Sequence, residues 1–122
     1  MKTWGGAVAL VGTLASGGAM ADGNKLLEFC QSTVRYVDTK GVEGDAFSTG
    51  YCLGVITGVT SLRGLTNPGL PKNAQTCPPS PPPSATQVAR ISVKYMTENP
   101  ERLNLDDGPI VLLALQRAYP CK

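Results

Sequence analysis

Ala46-Phe47-Ser48-Thr49-Gly50-Tyr51-Cys52-Leu53-Gly54-Val55-Ile56-Thr57-Gly58-Val59-Thr60-Ser61-Leu62-Arg63 is the stretch on which the fold class turns. Its β-branched Val55, Ile56 and Val59 suit a strand. Its apolar groups, however, recur at Cys52, Val55, Ile56, Val59 and Leu62, at spacings of three and four rather than in alternation. The segment therefore reads as a helix from about Ala46 to Arg63, with Gly64 as its C-terminal stop. Gly50, Gly54 and Gly58 fall on one side of that helix. A glycine in a helix interior costs about 0.5–1 kcal/mol relative to alanine, so three of them call for a compensating contact. Close packing against another helix of the same chain is the favoured source, ahead of a seam with a second copy. A membrane dimer motif is excluded by Ser48, Thr49, Thr57 and Thr60 on the same segment.

Outward from this segment, the same period recurs. Leu26, Leu27, Cys30, Val34 and Val37 give an amphipathic helix over Asn24 to about Asp38, with Asp22 or Asn24 as its cap. Lys40-Gly41-Val42-Glu43-Gly44-Asp45 is a linker. Residues 66–83 hold seven of the ten prolines and read as a loop. Pro78–Pro83 favours extended polyproline geometry, as a stiff spacer anchored at Cys77 rather than a ligand for a proline-binding domain. Ser84-Ala85-Thr86-Gln87 is a capping box opening a third helix with Val88, Ile91 and Tyr95 inward, ended by Pro100. A last helix starts near Asp107-Gly108-Pro109, and its apolar run Ile110 to Leu115 predicts the most central position. The expected fold class is all-α, a small four-helix domain. Its core is drawn from Leu26, Leu27, Val34, Val55, Ile56, Val59, Val88, Ile91, Tyr95, Ile110, Leu113 and Leu115.

The chain has 122 residues, which allows one domain. Its start reads as an export leader: a basic Met1-Lys2, an apolar Ala7 to Ala15, and Ala19-Met20-Ala21 as a small-residue cleavage site. Cleavage after Ala21 leaves residues 22–122 with ten basic against nine acidic side chains. So small a net charge gives no reason to expect a nucleic-acid partner, and no later apolar run is long enough to anchor the domain in a membrane. An oxidising periplasm is the expected destination.

Histidine is absent, which excludes Ser-His-Asp and Cys-His nucleophilic systems and histidine metal sites. Ser48 sits in a partial nucleophile elbow that lacks the first glycine and a base. Asp106 and Asp107 are adjacent carboxylates where a helix start favours negative charge. There is no Cys-x-x-Cys and no glycine-rich phosphate loop, so no catalytic, cofactor or metal site is expected. The four cysteines then serve as two structural disulfides. The loop after the second helix is long enough to fold back, which makes Cys52–Cys77 feasible and leaves Cys30–Cys121 to tie the first helix to the last.

Several pieces together resemble the Rap/Tai family. They are Gly23-Asn24-Lys25-Leu26-Leu27 before Cys30, Tyr51-Cys52-Leu53-Gly54-Val55-Ile56-Thr57-Gly58-Val59, and Cys77-Pro78. The match continues through Gln87-Val88 with Tyr95 and Asn99-Pro100-Glu101, and through Ala114-Leu115 to Tyr119-Pro120-Cys121. The founding members of that family are periplasmic immunity proteins against type VI secretion amidase effectors. The resemblance implies an all-helical periplasmic domain over residues 22–122 that is no enzyme, forms homodimers and blocks an amidase active site. Two other classes compete with that reading. One is a structural or adaptor module of the envelope. The other is a small acid-stress chaperone, which the disulfides and missing histidines oppose. The loop from Thr66 to Pro83 is the candidate for partner contact, because prolines stiffen it and Cys77 fixes its direction.

Overall fold

The computed structural model describes residues 22–122, so the expected leader and its cleavage site lie outside the described residues. Four α-helices, α1 (Gly23–Asp38), α2 (Ala46–Thr66), α3 (Ala85–Glu98) and α4 (Asp107–Ala118), are joined by three short 3-10 turns, and the described residues contain no strand. Helix α1 starts where Asp22 accepts from the amides of Asn24 (3.1 Å) and Lys25 (3.2 Å). Asn24 lies within the helix, and its side chain reaches Leu103 O instead. Ser84 caps α3 by accepting from Gln87 N at 3.1 Å. Helix α2 runs past Gly64, which keeps helical geometry. It ends where Pro68 lacks the N–H that would bond Gly64 O.

Helices α1 and α2 form an antiparallel hairpin. Gly41 and Gly44 turn the chain at φ of 87° and 75°, backbone that side-chain-bearing residues rarely adopt. Asp45 locks the turn: its carboxylate accepts from Ser48 N (2.8 Å), Ser48 Oγ (2.8 Å) and Ser32 Oγ (3.1 Å). These donors, Ser48's foremost, hold the Asp45 carboxyl below its usual range. Thr33 donates to Phe29 O and Ser48 O, and Phe29 packs against Phe47 and Tyr51 at ring separations of 5.8 and 4.8 Å. The start of α1 is fixed against the far end of the chain by Gly23 N to Leu105 O (2.9 Å). A Cβ on Gly23 would stand 2.9 Å from the Leu103 backbone, so only glycine allows that approach.

The core lies between the four helices. Leu26, Ile56, Val88, Tyr95, Ile110 and Leu115 are buried as expected from periodicity, together with Ala89, Met96, Val111 and Ala114. Leu27, Val34, Val55, Val59, Ile91 and Leu113 are only half-buried at its rim. Each fully buried aliphatic side chain contributes about 1.5–3 kcal/mol.

The disulfides correct the expected pairing. The bonds are Cys30–Cys52, with Cα atoms 5.2 Å apart, and Cys77–Cys121, with Cα atoms 5.0 Å apart. Cys52 does not reach Cys77, nor Cys30 Cys121. The physical reason is the hairpin: Cys30 and Cys52 are equidistant in sequence from Gly41, so an antiparallel pair of helices with that turn brings them face to face. Loop length shows only what a chain can reach, and the tight turn decided what it does reach.

Candidate functional site

The segment after α2 is held at its base far more tightly than its proline content suggests. Asn67 clamps the backbone of Thr76, accepting from its N–H at 2.9 Å and donating to its carbonyl at 3.1 Å. Arg63 donates to the same carbonyl at 3.0 Å. Thr76 pairs with Pro120, Cys77 N donates to Tyr119 O at 2.7 Å, and Cys77–Cys121 closes the link. Gln75 bonds Leu70 O, and the Gln116 side chain donates to Asn73 O. Between these ties Pro68, Gly69, Pro71 and Lys72 are exposed. The outcome is an exposed loop on a fixed base, with much of its conformational entropy already lost on folding.

Two depressions adjoin the loop. One, of about 320 Å³, lies between Thr60, Arg63, Pro78, Pro82, Pro83 and Leu115. The other, of about 390 Å³, has apolar walls from Val59, Leu62, Leu70, Pro109 and Leu112. Beside it Leu62 and Leu65 stand open to solvent, Leu65 with 81 % of its surface exposed.

The glycine face also needs correction. A Cβ on Gly50, Gly54 or Gly58 would meet nothing within 4 Å. The three glycines do not serve close packing with another helix of the chain. They line the outer side of α2, because Cys52 and Ile56 turn the opposite side inward to α1 and the core. The bare glycine side and the exposed leucines therefore share one helix.

The residues weighed for catalysis sit in structural roles. Ser48 is buried and donates to Asp45. Asp107 accepts from Gly108 N at 2.9 Å and from the Tyr51 hydroxyl at 2.6 Å, bridging the start of α4 to α2. That hydrogen bond to Asp107, with burial, pushes the Tyr51 hydroxyl up to about 12. Asp106 makes no side-chain cap. Among the described residues no group of His, Cys, Asp and Glu is placed to hold a metal ion, and no helix is long and apolar enough to cross a membrane. Sequence reasoning missed the Arg63–Asn67–Thr76 clamp and the Tyr51–Asp107 bridge. Asn67 before Pro68 was the available hint for the first, since asparagine ahead of proline favours a turn that uses its side chain. No local hint existed for the second.

The sequence profile of the Rap1a immunity proteins matches residues 22–121. No curated protein and no solved structure matches the chain.

Proposed function

Because the chain belongs to the Rap1a immunity protein family, we propose that it acts in the periplasm by binding and inhibiting a cell-wall amidase effector. Immunity proteins of this kind bind effector proteins, and the chain is not itself an enzyme. The observation that carries the reading is the family match across residues 22–121, which spans every helix and both disulfides. Two disulfides in so small a domain are consistent with an exported protein. Export would be directed by residues 1–21, with cleavage after Ala21 ahead of the matched region.

The contact with the amidase is assigned to the loop from Thr66 to Pro83. What supports it is the clamped base, the exposed prolines at its turn, and the apolar depression of Val59, Leu62 and Leu70 beside it. Leu62 and Leu65, both exposed, would add apolar area for the partner to bury. The homodimer implied by the resemblance belongs to the same proposal.

The test is co-expression in the periplasm of a sensitive cell, with an amidase effector encoded beside this gene. Survival with the protein and lysis without it is the expected result. Equal lysis in both cases refutes the immunity reading and leaves the envelope adaptor in its place. Gene neighbourhood serves as the first check, since an adjoining amidase effector is expected there.

A further inference from the structure

Between α3 and α4, with Asn73 of the loop on its rim, lies a groove that the apolar contact at α2 leaves unused. One depression of about 340 Å³ is walled by Asn73, Tyr95, Arg102, Leu113, Arg117 and Pro120. A second, of about 180 Å³, shares Tyr95 and Arg117 with it. Lys94 and Glu98 line the smaller one and neutralise each other at 3.1 Å. Arg102 and Arg117 form no ion pair among the described residues, whose pairs are Lys25–Glu28, Arg90–Asp38 and Lys94–Glu98. The groove thus holds two uncompensated guanidinium groups and no uncompensated carboxylate.

Arg117 in the last turn of α4 complements the helix dipole, which explains its position on the helix but leaves its fork of N–H donors uncommitted. Tyr95 adds a further donor. Only 7 % of its surface is exposed, its ring belongs to the core, and it walls both depressions. Its hydroxyl makes no hydrogen bond within the described residues and is not among the buried orphaned atoms there, so it is open to solvent and free to donate. Two planar cationic forks and an uncommitted O–H donor suit an acceptor-only group, and a carboxylate accepts from both kinds. Leu113 and Pro120 add apolar wall that a side chain with a methylene stem can use and a bare inorganic anion cannot. Asn73 connects this rim to the clamped loop through its bond with Gln116.

We propose that the Arg102–Arg117 groove receives an acidic segment of the effector protein, with Tyr95 donating to the bound carboxylate. This rests on the reading that the chain binds an effector, and it adds a second contact of opposite chemistry to the apolar one at α2. Charge at the rim of an interface mainly speeds and orients encounter, so the contact weakens with salt.

The experiment titrates an end-blocked tetraglutamate peptide into isotope-labelled, oxidised protein and follows amide and guanidinium NMR signals. Shifts centred on Tyr95, Arg102 and Arg117 are expected. Arg117→Gln should weaken binding roughly tenfold or more, as for loss of a charge-assisted hydrogen bond. Arg117 is exposed, and an unchanged circular dichroism spectrum would verify that the variant folds. Shifts elsewhere, no shifts, or shifts untouched by Arg117→Gln overturn the proposal. Inorganic phosphate binding the groove as well as the peptide does so too, because the site would then be a plain anion site. In the co-expression assay, an Arg102→Gln/Arg117→Gln variant that still protects fully overturns the groove contact while the immunity reading stands. A wild-type protein that fails to protect overturns the immunity reading, whatever the peptide does.

Discussion

Replacing Gly58 by alanine should make the protein more stable, and the size of the gain tests whether the outer side of α2 is bare in solution. Gly58 lies in the interior of a 21-residue helix, and a Cβ there meets nothing within 4 Å. No clash offsets the propensity gain, which for glycine to alanine is about 0.8–1 kcal/mol and includes the reduced freedom of the unfolded chain. In a domain of this size 1 kcal/mol moves Tm by about 4–8 °C. A thermal melt followed by far-UV circular dichroism should therefore rise by roughly 3–8 °C, using the same propensity and conversion factors. Gly54→Ala should behave alike, since its surroundings are equally empty. Gly58→Leu carries the test further. On a bare face it also raises Tm, whereas a seam with a second copy would lose its close approach. An unchanged or lowered Tm for Gly58→Ala, or a Gly58→Leu protein whose elution volume changes, refutes the bare face and shows that something covers it in solution.

A non-reduced digest analysed by mass spectrometry should yield linked peptides for Cys30–Cys52 and Cys77–Cys121, and a Cys30–Cys121 peptide would overturn the hairpin argument. Removing the second bond with Cys77→Ala/Cys121→Ala opens a loop with sequence separation 44. It should cost about 4 kcal/mol in the chain-entropy account, and a denaturant midpoint close to wild type would show that the Asn67 and Arg63 clamp suffices alone. Acid should destabilise the domain in part through Asp45, whose folded pKa is depressed. Its contribution is present above the unfolded carboxylate value of about 4 and is lost as pH falls through the folded value. Asp45→Asn should flatten that acid limb in a stability-versus-pH series, and an identical slope would remove Asp45 from the account. Tyr51 acts at the other end: raised to about 12, it contributes stability that is complete below the unfolded value of about 10 and is lost as pH rises through 12. An alkaline absorbance titration should show one of the four tyrosines ionising late, and Tyr51→Phe should abolish that late step.

What the sequence determined by itself is local or periodic. Helix positions follow from apolar spacing and from caps such as Asp22 and Ser84, because a cap and a turn of helix involve residues only three or four apart. Half of the expected core was legible for the same reason, since Leu26, Ile56 and Ile110 lead their stripes. The all-α class and the absence of a histidine-based catalytic system needed nothing more. Only tertiary structure decided which stripe edge is core and which is rim, because that depends on how close the neighbouring helix comes. It decided the disulfide pairs, which answer to the angle of the Gly41–Gly44 turn rather than to reach. It turned Gly50, Gly54 and Gly58 outward, a fact no window of sequence contains, since a glycine stripe looks the same against a neighbour or against water. It also brought Tyr51 to Asp107, and Asn73, Tyr95, Arg102 and Arg117 to one groove. The packing of α2 against α4 makes the first pair neighbours, and the packing of α3 against α4, with the loop tied back at Cys121, gathers the others.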